Sequence, residues 1–217
     1  MNLAEQTTTG LPIPNTVSKL PLGTVAEIFT GLALYRLGSK PGVTVSVINV
    51  KDVEYSNDPG RKLSQVSVPD PGRVERYRLK ARDVLVTARG TSLKSGIVPE
   101  RWSGAVLSSN LIAVRLGGGL RPELLLVFLQ SPAGRQAIER RLAGSNLLVL
   151  TPKTLREIEV PVLPASEQDA LADLVALAET QYAEALTVAQ AHRQLAHRIA
   201  LDVLRGKDSQ SKIGDLS

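Results

Sequence analysis

The most regular pattern of apolar positions lies near the C-terminal end of the chain. From residue 171 onward, apolar or small residues recur in alternating steps of four and three. A period of 3.5 residues sustained over several heptads is typical of a coiled-coil seam. The positions are Leu171, Val175, Ala178, Tyr182, Ala185, Ala189, His192, Ala196, Ile199 and Val203. The sequence therefore predicts one long helix that packs through this seam against a second helix.

Local signals mark the expected start of this helix. Pro164 ends the preceding segment, Ser166 can serve as the N-cap, and Asp169 can complete a capping-box-like pair. A helix of about 40 residues would be about 60 Å long, which exceeds the diameter of a small domain. The alternative is an amphipathic helix that folds back onto its own domain. The charged outer positions favour a partner on another chain instead.

Upstream of this helix, short apolar segments alternate with turns that contain proline and glycine. Alternating and β-branched stretches predict strands, and Gly31 has the character of a residue that ends a short helix. The predicted elements are a helix over Leu20–Gly31 and strands over Val43–Val50, Leu63–Val68, Asp83–Ala88 and Leu107–Leu116.

Helical patterns follow the last of these strands. Pro122 opens a helix with the sequence ELLLVFLQ, a second short helix is expected over Arg135–Leu142, and a short strand precedes the long helix. The order predicts an α+β fold, in which a globular domain with mixed or antiparallel strands and short helices precedes one long C-terminal coiled-coil helix. The predicted boundaries are a flexible tail at 1–19, a globular domain at 20–164, a long helix at 165–205, and a flexible tail at 206–217.

Composition narrows the class of protein. The chain has no cysteine, which excludes disulfides and thiolate metal sites. Its first residues lack the pattern of a signal or transit peptide, and no apolar run is long enough to span a membrane. We therefore expect a cytoplasmic protein with no membrane partner.

Charge is distributed unevenly along the chain. Residues 1–165 carry 21 Lys+Arg against 13 Asp+Glu, whereas residues 166–217 carry 5 against 8. The basic excess is densest from Arg61 to Arg101, a segment that contains ten basic and four acidic residues. Such a surface suits a polyanion, and we expect double-stranded DNA as the partner. A solvated face without a partner is the open alternative.

The segment ARGTSLKSG after the third predicted strand is the best candidate for anion contact. A nucleotide-binding P-loop is excluded because Leu93, and not glycine, precedes Lys94. We expect Lys94, Thr91 and Ser92 to contact DNA phosphates, and Arg89 to reach the edge of a guanine. An ordinary hairpin loop is the alternative.

Two further groups complete the predicted DNA contacts. The first group belongs to the dense basic region, and the second lies in or near a glycine-containing loop that begins at Gly144. These residues are Arg61, Lys62, Arg76 and Arg78 in the first group, and Ser145, Asn146 and Lys153 in the second. For the second group, a structural turn is an equally open interpretation.

The sequence gives no support to a catalytic or metal site. Both histidines, His192 and His197, lie on the long helix five positions apart, so they do not share a face as a metal-binding pair would. The carboxylates are scattered, and the glycines at 117–119 lack the spacing of a dinucleotide site. We expect no cofactor, no metal and no catalysis in this chain.

These segments together resemble the specificity (S) subunits of type I restriction-modification systems. The matching stretches are KLPLGTVAEIFTG, DVLVTARGTSLKSGIV, SSNLIAVRL, LLLVFLQSPAGRQAI and GSNLLVLTPKTLREIEVPVLPASEQDALADLV. The last is the most specific, because a Gly-Ser-Asn loop, a short strand, an apolar-Pro-x-x-x-Gln helix start and a heptad helix recur in this order in the family. The resemblance extends from Lys19 to Leu204.

The resemblance implies a target-recognition domain that reads a few base pairs and a helix that acts as a ruler and docking platform. It implies methyltransferase (M) subunits, which carry the S-adenosylmethionine, and a restriction (R) subunit as partners, with no catalysis by this chain. A full S subunit resembles two such units in tandem, whereas this chain has one. We therefore expect a homodimer, or pairing with another half S subunit, and a bipartite target. The alternatives are a coiled-coil adaptor that docks an acidic protein and, more remotely, an enzyme with an unrecognised site.

Overall fold

A computed structural model describes residues 17–33, 41–56, 58, 60–90, 92–142 and 148–211, with the side chains of 148 and 206–211 left out of the description. The chain divides into two units, Met1–Asp173 and Leu174–Ser217. The first unit holds the strands and short helices, and the second consists of the greater part of one long helix.

The first unit is rich in short strands joined by helical turns. Its strands are β1 (Ser18–Pro21), β2 (Ala26–Thr30), β3 (Val43–Ile48), β4 (Ser64–Val68), β5 (Val84–Thr87), β6 (Arg89–Gly90), β7 (Ser95–Ile97), β8 (Val106–Leu107), β9 (Leu111–Leu116), β10 (Leu148–Val149) and β11 (Glu159–Val162). Its helices are α1 (Val50–Val53), α2 (Pro122–Gln130), α3 (Pro132–Glu139), α4 (Pro152–Arg156) and the first turns of α5 (Ala165–Ser211). Single 3-10 turns lie at Leu22–Thr24, Pro71–Arg73, Glu75–Tyr77 and Glu100–Trp102. This arrangement confirms the predicted α+β fold.

The central sheet has the strand order β2-β9-β5-β7 and is antiparallel throughout. Every side chain of β5 is buried, because alternate residues face two different cores. Val84 and Val86 join the core that includes Leu125 of α2, whereas Leu85 joins the core that includes Trp102. The predicted strand at Asp83–Ala88 is therefore confirmed as the middle layer of the unit.

A second sheet has the order β4-β3-β8, with β3 and β8 parallel. Its inward side chains are small valines, among them Val45, Val47 and Val106, which form a core of their own. The strands predicted at Val43–Val50 and Leu63–Val68 are confirmed, but the first ends at Ile48, because Asn49 is the N-cap of α1.

The helix predicted at Leu20–Gly31 is wrong. This stretch forms β1, a 3-10 turn and β2 instead, because β1 pairs with β11 and β2 pairs with β9. Ser18 and Lys19, which the sequence assigns to the tail, are in β1. Gly31 therefore does not end a helix. A Cβ atom at this position would lie 2.2 Å from the carbonyl oxygen of Ser108. Close approach of the backbone is the reason for glycine at this position.

Smaller differences concern the ends of elements. The strand predicted over Leu107–Leu116 is divided into β8 and β9 by a turn at residues 109–110. The helix predicted over Arg135–Leu142 is α3, which starts earlier because Ser131 Oγ accepts a hydrogen bond from Gly134 N at 3.1 Å. The helices α1 and α4 have no counterpart in the sequence analysis, because each is only about one turn long.

The long helix α5 begins at Ala165 and ends at Ser211. Ser166 therefore lies inside the first turn, and its predicted role as the N-cap is wrong. The start at Ala165 agrees with the predicted boundary at 165, and the carbonyl oxygen of Pro164 accepts the amides of Glu167 and Gln168. The helix also continues beyond Arg205, into the segment that the sequence assigns to a tail.

Candidate nucleic-acid interface

The structure pairs two short strands that adjoin the segments predicted as DNA contacts. Strand β6 pairs with β10, so that Arg89 lies opposite Val149 and Gly90 lies opposite Leu148. The amide of Leu150 also donates to the carbonyl of Ala88 at 2.8 Å. The loop that follows Gly90 and the segment that precedes Leu148 are therefore attached to the same two-stranded ribbon. Thr91, Ser145 and Asn146 lie outside the described residues.

The base of the loop after β6 is closed by Thr87. Its hydroxyl accepts from the amide of Lys94 at 3.1 Å and donates to the carbonyl of Lys94 at 3.2 Å, and its amide donates to the same carbonyl at 2.9 Å. Thr87 is fully buried. The loop therefore has a fixed base, and Ser92 is exposed within it.

The predicted basic contacts fall into two groups when their partners are considered. Three of them are engaged in ion pairs. Lys94 Nζ lies 2.7 Å from Glu54 Oε2, Arg78 Nε lies 2.7 Å from Glu75 Oε1, and Arg61 pairs with the buried Asp52. Arg78 also donates to the carbonyl oxygen of Gly104 at 2.7 Å. These three side chains contribute to the fold of the unit, whatever else they contact.

The other predicted basic residues are available to a ligand. The side chains of Arg89, Lys62 and Lys153 are exposed and have no hydrogen-bond or ion-pair partner among the residues that the structure describes. Arg76 is exposed and its guanidinium lies over the ring of Tyr77, with Cζ 4.7 Å from the ring centroid. Stacking of this kind holds the cation in place without neutralising it.

Several basic side chains with the same properties are not among the predicted contacts. The side chains of Lys51, Arg73, Lys80 and Arg135 are exposed, and none has a partner within the described part of the chain. Local sequence does not separate them from all of the paired residues, because the acid that neutralises a basic residue can be distant in sequence. The pair of Lys94 and Glu54, which are 40 residues apart, is one example.

One partly buried ion pair, between Arg115 and Asp83, stabilises the unit that carries these residues. Arg115 of β9 donates through Nη2 to Asp83 Oδ2 at 2.7 Å and to the carbonyl oxygen of Arg78 at 3.0 Å. The hydrogen bond to Asp83 raises the pKa of Arg115 above its usual value, and burial opposes this only in part. Arg115 therefore stays charged and joins β9 to the turn that precedes β5.

The seam positions predicted on the long helix differ in exposure. Leu171 and Val175 are half-buried, whereas Tyr182 is 67 % exposed, Ile199 55 % and Val203 58 %. Further large apolar side chains are exposed beside the seam, namely Leu174, Leu177, Leu186, Val188, Leu195, Leu201 and Leu204. His192 and His197 are exposed as well. The apolar surface of the second unit is thus broader than the single seam predicted from the sequence.

The described residues contain neither a metal-binding cluster nor a membrane-spanning helix. No group of His, Cys, Asp or Glu in this part of the chain has the arrangement of a metal site. Among the same residues, none of the helices combines the length and apolar character needed to cross a membrane.

Comparisons with known proteins identify the fold. No protein-family model matches the chain, and no curated protein matches it. Among solved structures, the HsdS subunit from Thermoanaerobacter tengcongensis matches with a TM-score of 0.57 and 19% identity, over 84% of this chain and 42% of that chain. A chain from a study of complex assembly and conformational transition of a type I restriction-modification system matches with a TM-score of 0.58 and 20% identity, over 86% of this chain and 44% of that one. The chain thus spans less than half the length of these structures, and it shares the α+β fold of HsdS specificity subunits of type I restriction-modification systems.

Proposed function

We propose that this chain is a sequence-specific DNA-binding specificity subunit of a type I restriction-modification system. It reads one half of a bipartite target, docks the methyltransferase subunits and catalyses no reaction itself. One observation carries this proposal. The chain combines, within the fold of HsdS, an α+β unit with exposed and unpaired basic residues and a long heptad helix with exposed apolar side chains.

The DNA contacts come from the β6–β10 ribbon and the exposed basic residues of the first unit. Arg89 reaches a base edge, and Ser92, Lys62, Arg76 and Lys153 contact phosphates. Thr91, Ser145 and Asn146, which lie beyond the described residues, stay predicted contacts. Lys94 and Arg78 contribute only if DNA phosphate competes with their carboxylate partners. Because phosphate contacts dominate the affinity, binding falls steeply as salt rises.

The partner of the long helix is a second copy of this chain or another half S subunit. Two large apolar side chains that support this proposal are Tyr182 and Ile199, which are more than half exposed. A two-fold dimer carries two identical recognition units, so its target is palindromic and bipartite. M subunits supply the S-adenosylmethionine, and an R subunit joins the complex when the system restricts DNA.

The oligomeric state tests the helix pairing. The double variant Tyr182→Glu with Ala189→Glu places two carboxylates on the seam, where pairing would bury them, so we expect the dimer to become a monomer. The measurement is the molar mass by light scattering over a range of protein concentrations.

A matched control for this test lies on the opposite face of the same helix. Thr180 and Thr187 are exposed, and within the described residues their hydroxyls donate only to the carbonyl oxygens of Ala176 and Ala183, at 2.8 and 2.9 Å. Thr180→Glu with Thr187→Glu adds the same charge away from the seam and should leave the dimer intact. A wild-type monomer, or equal dissociation of both double variants, contradicts the proposed pairing.

DNA recognition is tested at Arg89. Arg89→Ala should relax the base preference at one position of each half-site and leave the other positions unchanged, as measured by selection from a random DNA pool. Equal weakening of all sequences makes Arg89 a phosphate contact. If the wild type binds DNA weakly and without any sequence preference, the specificity function is wrong and the adaptor interpretation is favoured.

A further inference from the structure

The segment between α1 and β4 holds one guanidinium in a fixed position. Asp52 of α1 is fully buried, and its Oδ2 atom accepts from the amide of Asn49 at 2.9 Å. Its Oδ1 atom accepts from Nε of Arg61 at 2.8 Å and also from Nη2 of Arg61. Nε and Nη2 of Arg61 therefore donate to the same carboxylate oxygen. The amide of Asn49, at the N-cap of α1, holds the carboxylate in place.

An aromatic ring fixes the plane of the same guanidinium. Cζ of Arg61 lies 4.9 Å from the ring centroid of Tyr55. Tyr55 is 48% exposed, so its ring stands at the surface and not in a core. Arginine stacks on aromatic faces through both its charge and its planar shape. Tyr55 and Asp52 together leave the guanidinium little freedom to turn.

The backbone that carries Arg61 is also held in place. The amide of Arg61 donates to the carbonyl of Asp58 at 3.2 Å, and the amide of Gly60 donates to Asp58 Oδ1 at 2.8 Å. From another part of the chain, Arg101 Nη2 donates to the carbonyls of Ser56 and Asp58, at 2.6 and 2.8 Å. The turn is thus tied to the domain independently of the Asp52 pair.

These contacts leave Nη1 of the Arg61 guanidinium without a partner among the described residues. The side chain of Arg61 is 24% exposed. Its Nη1 atom makes no hydrogen bond within the described residues and is not among their buried unpaired atoms, so solvent reaches it. Nη1 therefore remains for a ligand, and an edge formed by Nη1 and Nη2 matches N7 and O6 of guanine.

We propose that Arg61 reads a guanine in the major groove, with Asp52 and Tyr55 as positioning residues. The inference rests on the proposed DNA-binding function and deepens it. Helix α1 packs closely on β7, the strand after the Arg89 loop, since a Cβ at Gly96 would lie 2.8 Å from the carbonyl oxygen of Val53. Because Asp52 and Tyr55 hold the guanidinium of Arg61, it loses little conformational freedom on binding, which favours discrimination between bases.

The test is selection of binding sites from a random DNA pool by the full chain, alone and together with a methyltransferase subunit from the same genome. Arg61→Lys is the first variant, because lysine keeps the charge beside Asp52 but cannot present the fork. We expect the wild type to select a motif with a guanine that Arg61→Lys no longer selects. The preference at that position should fall by about 5- to 150-fold, and the other positions should be unchanged.

Tyr55→Leu provides a second variant that leaves the Asp52–Arg61 pair intact. It should weaken the preference at the same guanine by a smaller factor, which a purely structural role of Tyr55 would not do. Thermal unfolding of each variant verifies that it is folded. Lys62→Ala is the matched control, since Lys62 is adjacent, exposed and unpaired among the described residues. It should reduce the affinity for all sequences alike.

The possible failures separate the two proposals. If Arg61→Lys selects the same motif as the wild type, or weakens all sequences equally, the guanine contact is wrong and the specificity function stands. If folded Tyr55→Leu leaves the preference unchanged, the positioning role of Tyr55 is wrong. If the wild type selects no motif in either form, the specificity function fails, and the guanine contact fails with it.

Discussion

The two units of this chain treat their apolar side chains in opposite ways. In the first unit, Leu85, Leu107 and Ile112 are at most 1% exposed, and the central sheet separates two cores. In the second unit, Leu195 is 46% exposed and Tyr182 is 67% exposed. The first unit buries most of its large apolar side chains in its own cores. The second exposes an apolar face, for which we propose another helix as the partner.

The largest loss of folding stability is expected from a substitution in the core of the first unit. Leu85→Ala removes a side chain that is 1% exposed between β5 and the core around Trp102. Because a cavity is left behind, we expect the free energy of unfolding to fall by about 2–5 kcal/mol. Denaturant unfolding at constant protein concentration measures this loss. A loss below about 1 kcal/mol would contradict a close-packed core at this position.

A smaller effect is expected where α5 is fixed to the first unit. Gln168 is 4% exposed, and its Oε1 atom accepts from the amide of Arg121 at 2.8 Å. Its Nε2 atom donates to the carbonyls of Gly119 and Leu163, at 3.1 and 2.8 Å. Gln168→Ala leaves these backbone groups unpaired and should cost about 1–3 kcal/mol.

Denaturant unfolding and amide hydrogen exchange both measure the Gln168 variant. Exchange should become faster in the first turns of α5, from Ala165 to Asp173. The neighbouring control is Asp169→Asn, which removes an exposed ion pair with Arg121 and should cost less than about 1 kcal/mol. Equal losses for both variants would contradict a special role for the buried amide.

The smallest effect on folding is expected in the second unit. Leu195→Ala makes the same chemical change as Leu85→Ala, but at an exposed position, so the unfolding free energy of the monomer should change by less than about 0.5 kcal/mol. The same variant should raise the concentration needed for dimerisation, as analytical ultracentrifugation measures. A large loss in the monomer would mean that Leu195 is buried within its own chain, and the contrast between the units would be lost.

Local patterns in the sequence predicted the elements whose neighbours are also local. The strand Val43–Ile48 and the helix after Pro122 agree with the structure, because alternation and a proline at the first helical turn are sufficient signals. The helix prediction for Leu20–Gly31 is wrong, because the conformation of this stretch depends on its strand partners, β11 and β9, which are distant in sequence. Propensity alone does not contain such pairings.

The candidate site was predictable to a similar degree. The sequence indicated the basic character of the region and the loop after β6. The structure adds that β6 pairs with β10. Which cations are free depends on distant acids, as in the pair of Arg61 with Asp52 and the pair of Lys94 with Glu54. The roles of the individual residues in DNA binding stay predictions until the variants are measured.

The pairing of β1 with β11 has a consequence for how the chain folds during synthesis. Ser18 lies opposite Val162, and Leu22 N donates to the carbonyl of Ile158 at 2.8 Å, so the first described strand is held by the last one before α5. Contacts between such distant segments form late and slow the folding of a domain. At a translation rate of about 5–20 residues per second, β1 is synthesised roughly 7–28 s before its partner. The nascent domain is therefore open until β11 has emerged, and its closure coincides with the synthesis of the long helix α5.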